Sequence, residues 1–175
     1  MAFSPFRKII ILFTFFIWIL FDSSAFAEVE TLFSPGRSIK EHLLKEVEST
    51  ASTLELAVHD ISSFDFAQVL LHAKQRGVKV RIIADSKQVQ MKSSKITYLI
   101  NQGIPVKVLG GKEKGLMNHR FAILDGQRVI TGSYNWAETS QRGNYDSLLI
   151  LKESGVVASY QREFDRLWRE KRVIK

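Results

Sequence analysis

The sequence of 175 residues contains no cysteine, and this absence removes several kinds of chemistry. Disulfide bonds, thiolate metal sites and cysteine nucleophiles are excluded, and no cysteine can carry a lipid anchor. The sequence also has no low-complexity segment and no tandem repeat, and nothing in it resembles a motif that reads nucleic-acid bases. Any reaction that this protein performs must therefore use histidine, carboxylate, hydroxyl, amide or basic side chains.

The first 27 residues have the features of a secretory signal peptide. Arg7 and Lys8 precede an apolar run from Ile9 to Phe21, and the small-x-small pattern Ala25-Phe26-Ala27 follows it. We therefore predict cleavage after Ala27, a mature domain of residues 28–175 and a periplasmic or secreted location. The apolar run is shorter than the roughly 20 residues that span a bilayer, and an uncleaved membrane anchor is the alternative.

The charge balance favours anionic partners. Lysine and arginine together number 25 and aspartate and glutamate 18, which gives a formal net charge of +7. Nucleic acid and acidic lipid head groups are partners of this kind, although an ordinary basic surface has the same composition. Residues 28–175 are enough for one domain with its own hydrophobic core.

The apolar periodicity alternates between strand and helix along residues 28–175. The capping box that begins at Ser38 predicts the start of a helix, and Asp125-Gly126 predicts the tight turn of a hairpin. This alternation predicts an α/β fold. The predicted strands are Val29–Phe33, Leu54–Val58, Val78–Ala84, Val106–Leu109, Met117–Leu124, Arg128–Thr131 and Ser147–Leu151, and the predicted helices after Ser38 are Phe64–Arg76, Ser94–Asn101 and Val156–Arg169.

A set of polar residues in the second half of the sequence has a distinctive spacing. The set is Asn118-x-Arg120-x4-Asp125-x6-Gly132-Ser133-x-Asn135. It resembles the signature of the phospholipase D superfamily, HxK(x)4D(x)6GSxN, with asparagine in place of the histidine and arginine in place of the lysine. The resemblance extends over nearly all of residues 28–175. The small size and the single signature are similar to those of bacterial endonucleases and of the mitochondrial cardiolipin hydrolase group.

The resemblance implies one α/β domain of phospholipase D type, in which a mixed sheet carries helices on both faces. It also implies cleavage of phosphodiesters without a metal ion or cofactor, in an active site that two chains build together, so we expect a homodimer. In the family a histidine attacks phosphorus, and the matching histidine of the other half protonates the leaving group. Asn118 can do neither, because its amide lone pair is delocalised and does not titrate near pH 7.

The other signature positions favour binding of an anion. Arg120 keeps the positive charge of the family's lysine, and its planar guanidinium can hold two phosphate oxygens at once. Gly132 lets the backbone approach an anion, and Ser133 and Asn135 can donate hydrogen bonds to it. We therefore expect these four residues to bind phosphate.

Two acidic residues complete the catalytic set that the resemblance implies. Asp125 occupies the aspartate position of the signature, but it also lies in the predicted hairpin turn, and a role in forming the turn is the alternative. In the family an acidic residue further along the chain orients the histidine. Its counterpart here is Asp146, which is one methylene shorter than the usual glutamate.

Two of the four histidines are candidates for the missing role. His59 ends a predicted strand next to Asp60 and could supply a general acid or base, with an ordinary loop histidine as the alternative. His119 is adjacent to Asn118. Because side chains alternate along a strand, however, we expect His119 on the side of Phe121, away from the site.

Basic and aromatic residues near the signature would suit single-stranded nucleic acid. Tyr134 and Trp136 could stack on bases, and the neighbouring segments are rich in lysine and arginine. A solvated surface for the basic residues and a core position for Trp136 are the alternatives. The basic residues are Lys87, Lys92, Lys95, Lys112, Lys114 and Arg142.

Two functions are compatible with these features. The first is a phosphodiesterase that acts on nucleic acid or phospholipid, and the second is a pseudoenzyme that binds anionic phosphodiesters through Arg120, Ser133 and Asn135. The small, basic chain favours nucleic acid as the ligand. The two hypotheses differ at Asn118.

Overall fold

The computed structural model describes residues 28–35, 38–137 and 143–171. The predicted signal peptide and Arg142 lie outside these ranges. Within them, none of the helices combines the length and the apolar character that a membrane crossing needs.

Strands and helices alternate as the periodicity predicts. The helix that follows Ser38 begins as expected, with the Ser38 hydroxyl accepting a hydrogen bond from the Glu41 backbone N–H at 3.2 Å. In the described residues the strands are β1 (Val29–Ser34), β2 (Thr53–Val58), β3 (Lys79–Asp85), β4 (Val106–Leu109), β5 (Arg120–Leu124), β6 (Arg128–Gly132) and β7 (Asp146–Leu151), and the helices are α1 (Ile39–Ser49), α2 (Phe64–Gln75), α3 (Ser86–Val89), α4 (Ile96–Asn101) and α5 (Ser154–Arg169).

The strands of the described residues form one mixed sheet. Its order is β1-β7-β6-β5-β2-β3-β4. β2, β3 and β4 run parallel to one another, while β5, β6, β7 and β1 extend the sheet with antiparallel pairs. The parallel half needs crossover connections, which α2 and the segment of α3 and α4 supply.

Helices cover both faces of the sheet, because successive residues of the central strands point to opposite sides and both sides are apolar. In β2, for example, Leu56 belongs to the core beneath α1, α2 and α4, whereas Ala57 belongs to the core beneath α5. Phe66 fills the first core and Phe164 the second, and both side chains are fully buried. The predicted α/β fold with helices on both faces is confirmed.

The helix α5 is fixed against the sheet by polar contacts as well as apolar ones. Arg81 of β3 lies over the rings of Phe164 and Trp168, with 5.0 Å from its guanidinium carbon to each ring centroid. Lys107 of β4 donates to the backbone carbonyls of Trp168 and Glu170 at the end of the helix. These contacts attach the C-terminal half of α5 to β3 and β4.

The strand β5 begins at Arg120 rather than at the predicted Met117. The backbone N–H of Met117 donates to Oδ2 of Asp85 at 2.8 Å instead of joining the sheet. Asp85 is fully buried, and its Oδ1 accepts from the backbone N–H groups of Lys87 and Gln88, which caps α3. One buried carboxylate therefore holds the segment before β5 out of the strand.

Candidate active site

The predicted site residues other than Asp125 converge on one edge of the sheet because of strand direction and register. Arg120, the first residue of β5, pairs with Val58, the last residue of β2, so His59 lies at the same edge as Asn118. β6 ends at this edge with Gly132. β7 begins there with Asp146, which pairs with Ser34 at the end of β1. The sheet therefore assembles residues that are far apart in sequence.

Arg120 and Asn135 form a direct contact in this site. The Nε of Arg120 donates to Oδ1 of Asn135 at 2.5 Å. In the part of the chain that the structure describes, neither terminal nitrogen of the guanidinium has a hydrogen-bond partner. The bond therefore orients the guanidinium and leaves its two-pronged end available for an anion.

Ser133 and Asp146 form the second pair of the site. The hydroxyl of Ser133 donates to Oδ1 of Asp146 at 2.7 Å and accepts from the backbone N–H of Ser147 at 3.0 Å. The backbone N–H of Asp146 donates to the hydroxyl of Ser34 at 3.0 Å. The other carboxylate oxygen, Oδ2, is buried and has no hydrogen-bond partner among the described residues. The Oδ2 of Asp146 can therefore accept a hydrogen bond from a further group.

Gly132 is required by a close approach of two strands. Its φ is 157°, and a Cβ placed on it would lie 2.1 Å from the backbone oxygen of Ser147. The same oxygen accepts the backbone N–H of Ser133 at 3.0 Å. Any larger residue would push β6 away from β7 and move Ser133 relative to Asp146. The structure thus gives Gly132 a clear role in shaping the site.

Two cavities meet at Asn118 and His119, and each of these residues lines both cavities. The first, of about 380 Å³, lies between the segment before β5 and the last turns of α5, and includes Leu116 and Arg166. The second, of about 420 Å³, includes Arg120 and lies between the start of β5 and the middle of α5. These volumes fall in the usual range for ligand pockets, roughly 300 to 1,000 Å³.

His119 lies on the α5 side of the sheet, as the alternation of side chains predicts. Its ring packs edge-on against Phe121 with centroids 5.3 Å apart, and its Nε2 is 3.3 Å from Oε1 of Glu163. The pKa of Glu163 is lowered, chiefly by hydrogen bonds from Arg166 and with a smaller contribution from His119. His119 therefore lies on the same face of the sheet as Phe121, whose ring belongs to the core beneath α5, and a carboxylate of α5 holds it there.

His59 is half-buried at the end of β2, and its Nδ1 lies 3.4 Å from the backbone oxygen of Met117. This contact places the imidazole beside the segment that carries Asn118. His59 is thus the histidine that the strand register brings to the site edge, and its catalytic role stays a prediction.

Asp125 does not reach the site, because it lies at the opposite end of β5. Its carboxylate accepts hydrogen bonds from the backbone N–H groups of Ala51, Ser52 and Thr53 and from the hydroxyl of Ser52. Burial would raise its pKa, but these bonds together lower it from 3.8 to about 2. The catalytic role is therefore corrected in favour of the structural alternative: Asp125 ties the hairpin to the start of β2.

The predicted stacking platforms are part of the core. Tyr134 and Trp136 are each 3% exposed and pack against Phe66. Bases cannot reach them, so their proposed role in binding nucleic acid is wrong and the core alternative holds for Trp136. Two aromatic residues that are accessible near this edge are Tyr145, at 90% exposed, and Phe33, at 64%.

Asp85 is the residue that sequence reasoning missed. It positions Met117, and through it Asn118, by the bond that keeps this segment out of the sheet. An acidic residue directly after the apolar run of β3 was the available signal. The described residues contain no group of histidine and acidic side chains that could hold a metal ion.

Comparison with known proteins identifies the family. Residues 43–168 match the family model described as "Cardiolipin synthase, PLD-like domain". The chain belongs to the phospholipase D-like family. Among solved structures, it is similar to Nuc from Salmonella typhimurium, described as a phospholipase D family member, with a TM-score of 0.76 and 22% identity over 85% of this chain and 99% of that one. NucT from Helicobacter pylori gives a TM-score of 0.73 and 25% identity over 81% and 96%.

Curated relatives of this phospholipase D-like chain carry a more specific name. The mitochondrial cardiolipin hydrolase of Xenopus laevis is 37% identical over 128 residues, which are 73% of this chain and 60% of the relative. The chain spans 53% to 60% of the length of three such relatives. The predicted membership of a phosphodiesterase family with one signature is confirmed.

The relatives contradict the predicted periplasmic or secreted location. They are named mitochondrial proteins, which points to a mitochondrial rather than an exported location. The prediction rested on two basic residues, an apolar run and the small-x-small pattern Ala25-Phe26-Ala27, and a basic and apolar segment is not unique to secretory leaders, since it also fits a membrane anchor. The segment itself lies outside the described residues.

Proposed function

We propose that this protein binds phosphodiesters at the edge of the sheet where Arg120, Ser133 and Asn135 meet, and that it turns them over slowly or not at all. The observation that carries the proposal is the fixed guanidinium of Arg120, whose Nε is engaged by Asn135 while its terminal nitrogens have no described partner. A phosphate with two free oxygens fits such a fork. Gly132 and the cavity above it give the anion room.

The weak turnover follows from Asn118. Phosphoryl transfer without a metal ion needs a nucleophile for phosphorus and an acid for the leaving oxygen. An exposed amide at the family's histidine position supplies neither, whereas binding of a phosphate by Arg120 needs neither group. Binding therefore survives where chemistry is lost.

The second candidate function is an active phosphodiesterase that uses His59. The contact between His59 and the Met117 backbone places an imidazole at the site edge, where it could act as a general acid or base. This function needs no change at Asn118 and predicts turnover that depends on His59.

A homodimer is part of the proposal, because one signature supplies half of a family-type site. Tyr145 precedes Asp146 and Phe33 precedes Ser34, so both exposed aromatic side chains flank the site edge. Aromatic side chains are enriched at protein interfaces. A two-fold axis at this edge would cover them and bring two sites together.

The burial of Tyr134 and Trp136 and the names of the relatives favour phospholipid as the ligand class. Tyr134 and Trp136 are buried, which removes the argument for base stacking. The curated relatives are named cardiolipin hydrolases, and their ligand is a phospholipid with two phosphodiester groups. The shared chemistry is an anionic phosphodiester, and single-stranded DNA remains the comparison ligand.

The test measures binding and turnover on the same preparation. Full-length protein is titrated with cardiolipin-containing vesicles and with a fluorescent single-stranded oligonucleotide, and cleavage of a chromogenic diester is followed in chelator. We expect Arg120→Ala to weaken binding of at least one ligand about tenfold or more, since charge-assisted hydrogen bonds contribute roughly 1.5 to 3 kcal/mol. The exposed Arg162 of α5 offers a matched control, because Arg162→Ala removes the same charge elsewhere.

Two results would contradict the proposal. Equal binding by wild type, Arg120→Ala and Arg162→Ala would show that the anion sits elsewhere. Rapid cleavage by the wild type that disappears in His59→Ala would support the second candidate function instead.

A further inference from the structure

An exposed apolar and basic surface lies next to the candidate site, where α2 and α4 begin. Phe64 is 50% exposed, Tyr98 38% and Met91 56%. The rings of Phe64 and Tyr98 are in contact, with centroids 6.4 Å apart and planes tilted by 37°. Lys95 precedes Tyr98 by one helical turn, and Met91 and Lys92 lie in the turn that leads into α4. We call these five residues the α4 patch.

The segment that carries four of the five residues of the α4 patch has charge of one sign. Residues 86–112 contain no aspartate and no glutamate, although they include Lys92 and Lys95. Asp65 adjoins Phe64, but its carboxylate is paired with Lys40. Lys92 and Lys95 therefore give this side of the patch positive charge, which complements an anionic surface, and Asp60 and Asp65 are the acidic residues of the adjoining segment.

The α4 patch is connected to the site edge through the backbone. The N–H of Lys95 donates to the Ile61 backbone oxygen at 2.8 Å, and Ile61 forms a bridge with Trp136, one residue after Asn135. A surface that docks on the α4 patch would therefore lie beside the residues proposed to hold phosphate.

We propose that the α4 patch docks on the surface of an anionic lipid membrane. The rings of Phe64 and Tyr98 contact each other and together form one apolar surface. Base stacking needs ring faces that are open to the bases, so this arrangement suits a lipid surface better. Met91 adds a flexible apolar side chain that can enter a lipid interface. Lysines near the membrane strengthen binding to acidic lipids. The inference goes beyond the proposed function, because it needs no chemistry at Asn118.

The absence of cysteine allows a local test on the full-length chain. Thr97→Cys places a single label on the exposed side of α4, and Gln127→Cys places the control label on the exposed hairpin turn at the opposite edge of the sheet. Each protein carries a polarity-sensitive dye and is mixed with vesicles of phosphatidylglycerol or of phosphatidylcholine. Because the readout is local, binding through any other part of the chain does not imitate docking at α4.

We expect a blue shift of the dye at position 97 with phosphatidylglycerol vesicles, little shift with phosphatidylcholine, and no shift at position 127. Adding Phe64→Ser with Tyr98→Ser should abolish the shift, and Lys92→Glu with Lys95→Glu should raise the vesicle concentration it needs about tenfold or more. Lys79→Glu, at the opposite edge, is the charge control and should leave the shift unchanged. Circular dichroism of each variant shows that it is folded.

Three results would overturn the proposal. The first is an equal response of both labels to vesicles, and the second is a response at position 97 that survives the Phe64 and Tyr98 substitutions in a folded protein. The third is a shift at position 97 with single-stranded DNA and none with phosphatidylglycerol, which would make the α4 patch a nucleic-acid surface.

Discussion

The guanidinium Nε of Arg120 donates to Oδ1 of Asn135 at 2.5 Å, and this bond joins the first residue of β5 to the segment after β6. It fixes the direction in which the terminal nitrogens point. We expect Asn135→Ala to weaken diester binding by less than Arg120→Ala does, since the charge remains but the guanidinium is no longer held. Calorimetric titration of both variants measures the difference. Unchanged affinity in Asn135→Ala would show that the bond does not prepare the site.

The low pKa of Asp125 predicts a stability change in acid. Its folded-state pKa of about 2 lies below the usual 3.8, so its contribution is complete above about pH 4 and is lost as the pH falls towards 2. We expect Asp125→Asn to lower the free energy of unfolding at pH 7 by roughly 1 to 2 kcal/mol, allowing for solvent screening. The difference from wild type should shrink between pH 4 and pH 2.

Urea unfolding at several pH values tests this expectation. The matched control is Glu48→Gln, which neutralises an exposed carboxylate on α1. The two variants should differ at pH 7 and converge in acid. If both follow the same pH profile, the hydrogen bonds of Asp125 do not stabilise the fold.

The interface proposed for the homodimer is tested at Tyr145 and Phe33. A charge at either exposed aromatic side chain should repel its copy across a two-fold axis, so Tyr145→Asp and Phe33→Asp should shift the mass towards the monomer. Val29→Asp is the control, because Val29 is 51% exposed at the other end of β1. Light scattering at micromolar concentration measures the mass. A monomeric wild type, or a dimer that tolerates both aspartates, would contradict the interface.

The sequence predicts most of the fold because its signals are local. The capping box at Ser38, the turn at Asp125 and the short apolar runs of β2 to β6 each lie within a few residues. The spacing of Asn118, Arg120, Ser133 and Asn135 likewise depends on one hairpin, which the structure contains. These features need no knowledge of the rest of the chain.

The site predictions that were wrong or absent concern residues whose roles depend on packing between distant segments. Tyr134 and Trp136 are buried because α2 places Phe66 against them, and Asp85 gains its role from a segment beyond β4. No local pattern encodes either contact. The predicted location was wrong for a different reason, since a basic and apolar N-terminal segment is found in membrane anchors as well as in secretory signal peptides.

Restoring histidine at position 118 separates the two candidate functions. Asn118→His, alone or with Arg120→Lys and Asp146→Glu, should create or sharply raise cleavage of a model diester in chelator, because Gly132 and Ser133 remain to shape the phosphate site. The buried Oδ2 of Asp146 has no hydrogen-bond partner among the described residues, so it is an available acceptor for an imidazole N–H. Proton transfer alone contributes roughly 10² to 10⁴ in rate, and wild type should be near background. A wild-type activity that survives Asn118→Ala but not His59→Ala would move the catalytic centre to His59, and an inert triple variant would mean that the site differs from an active one beyond these three positions.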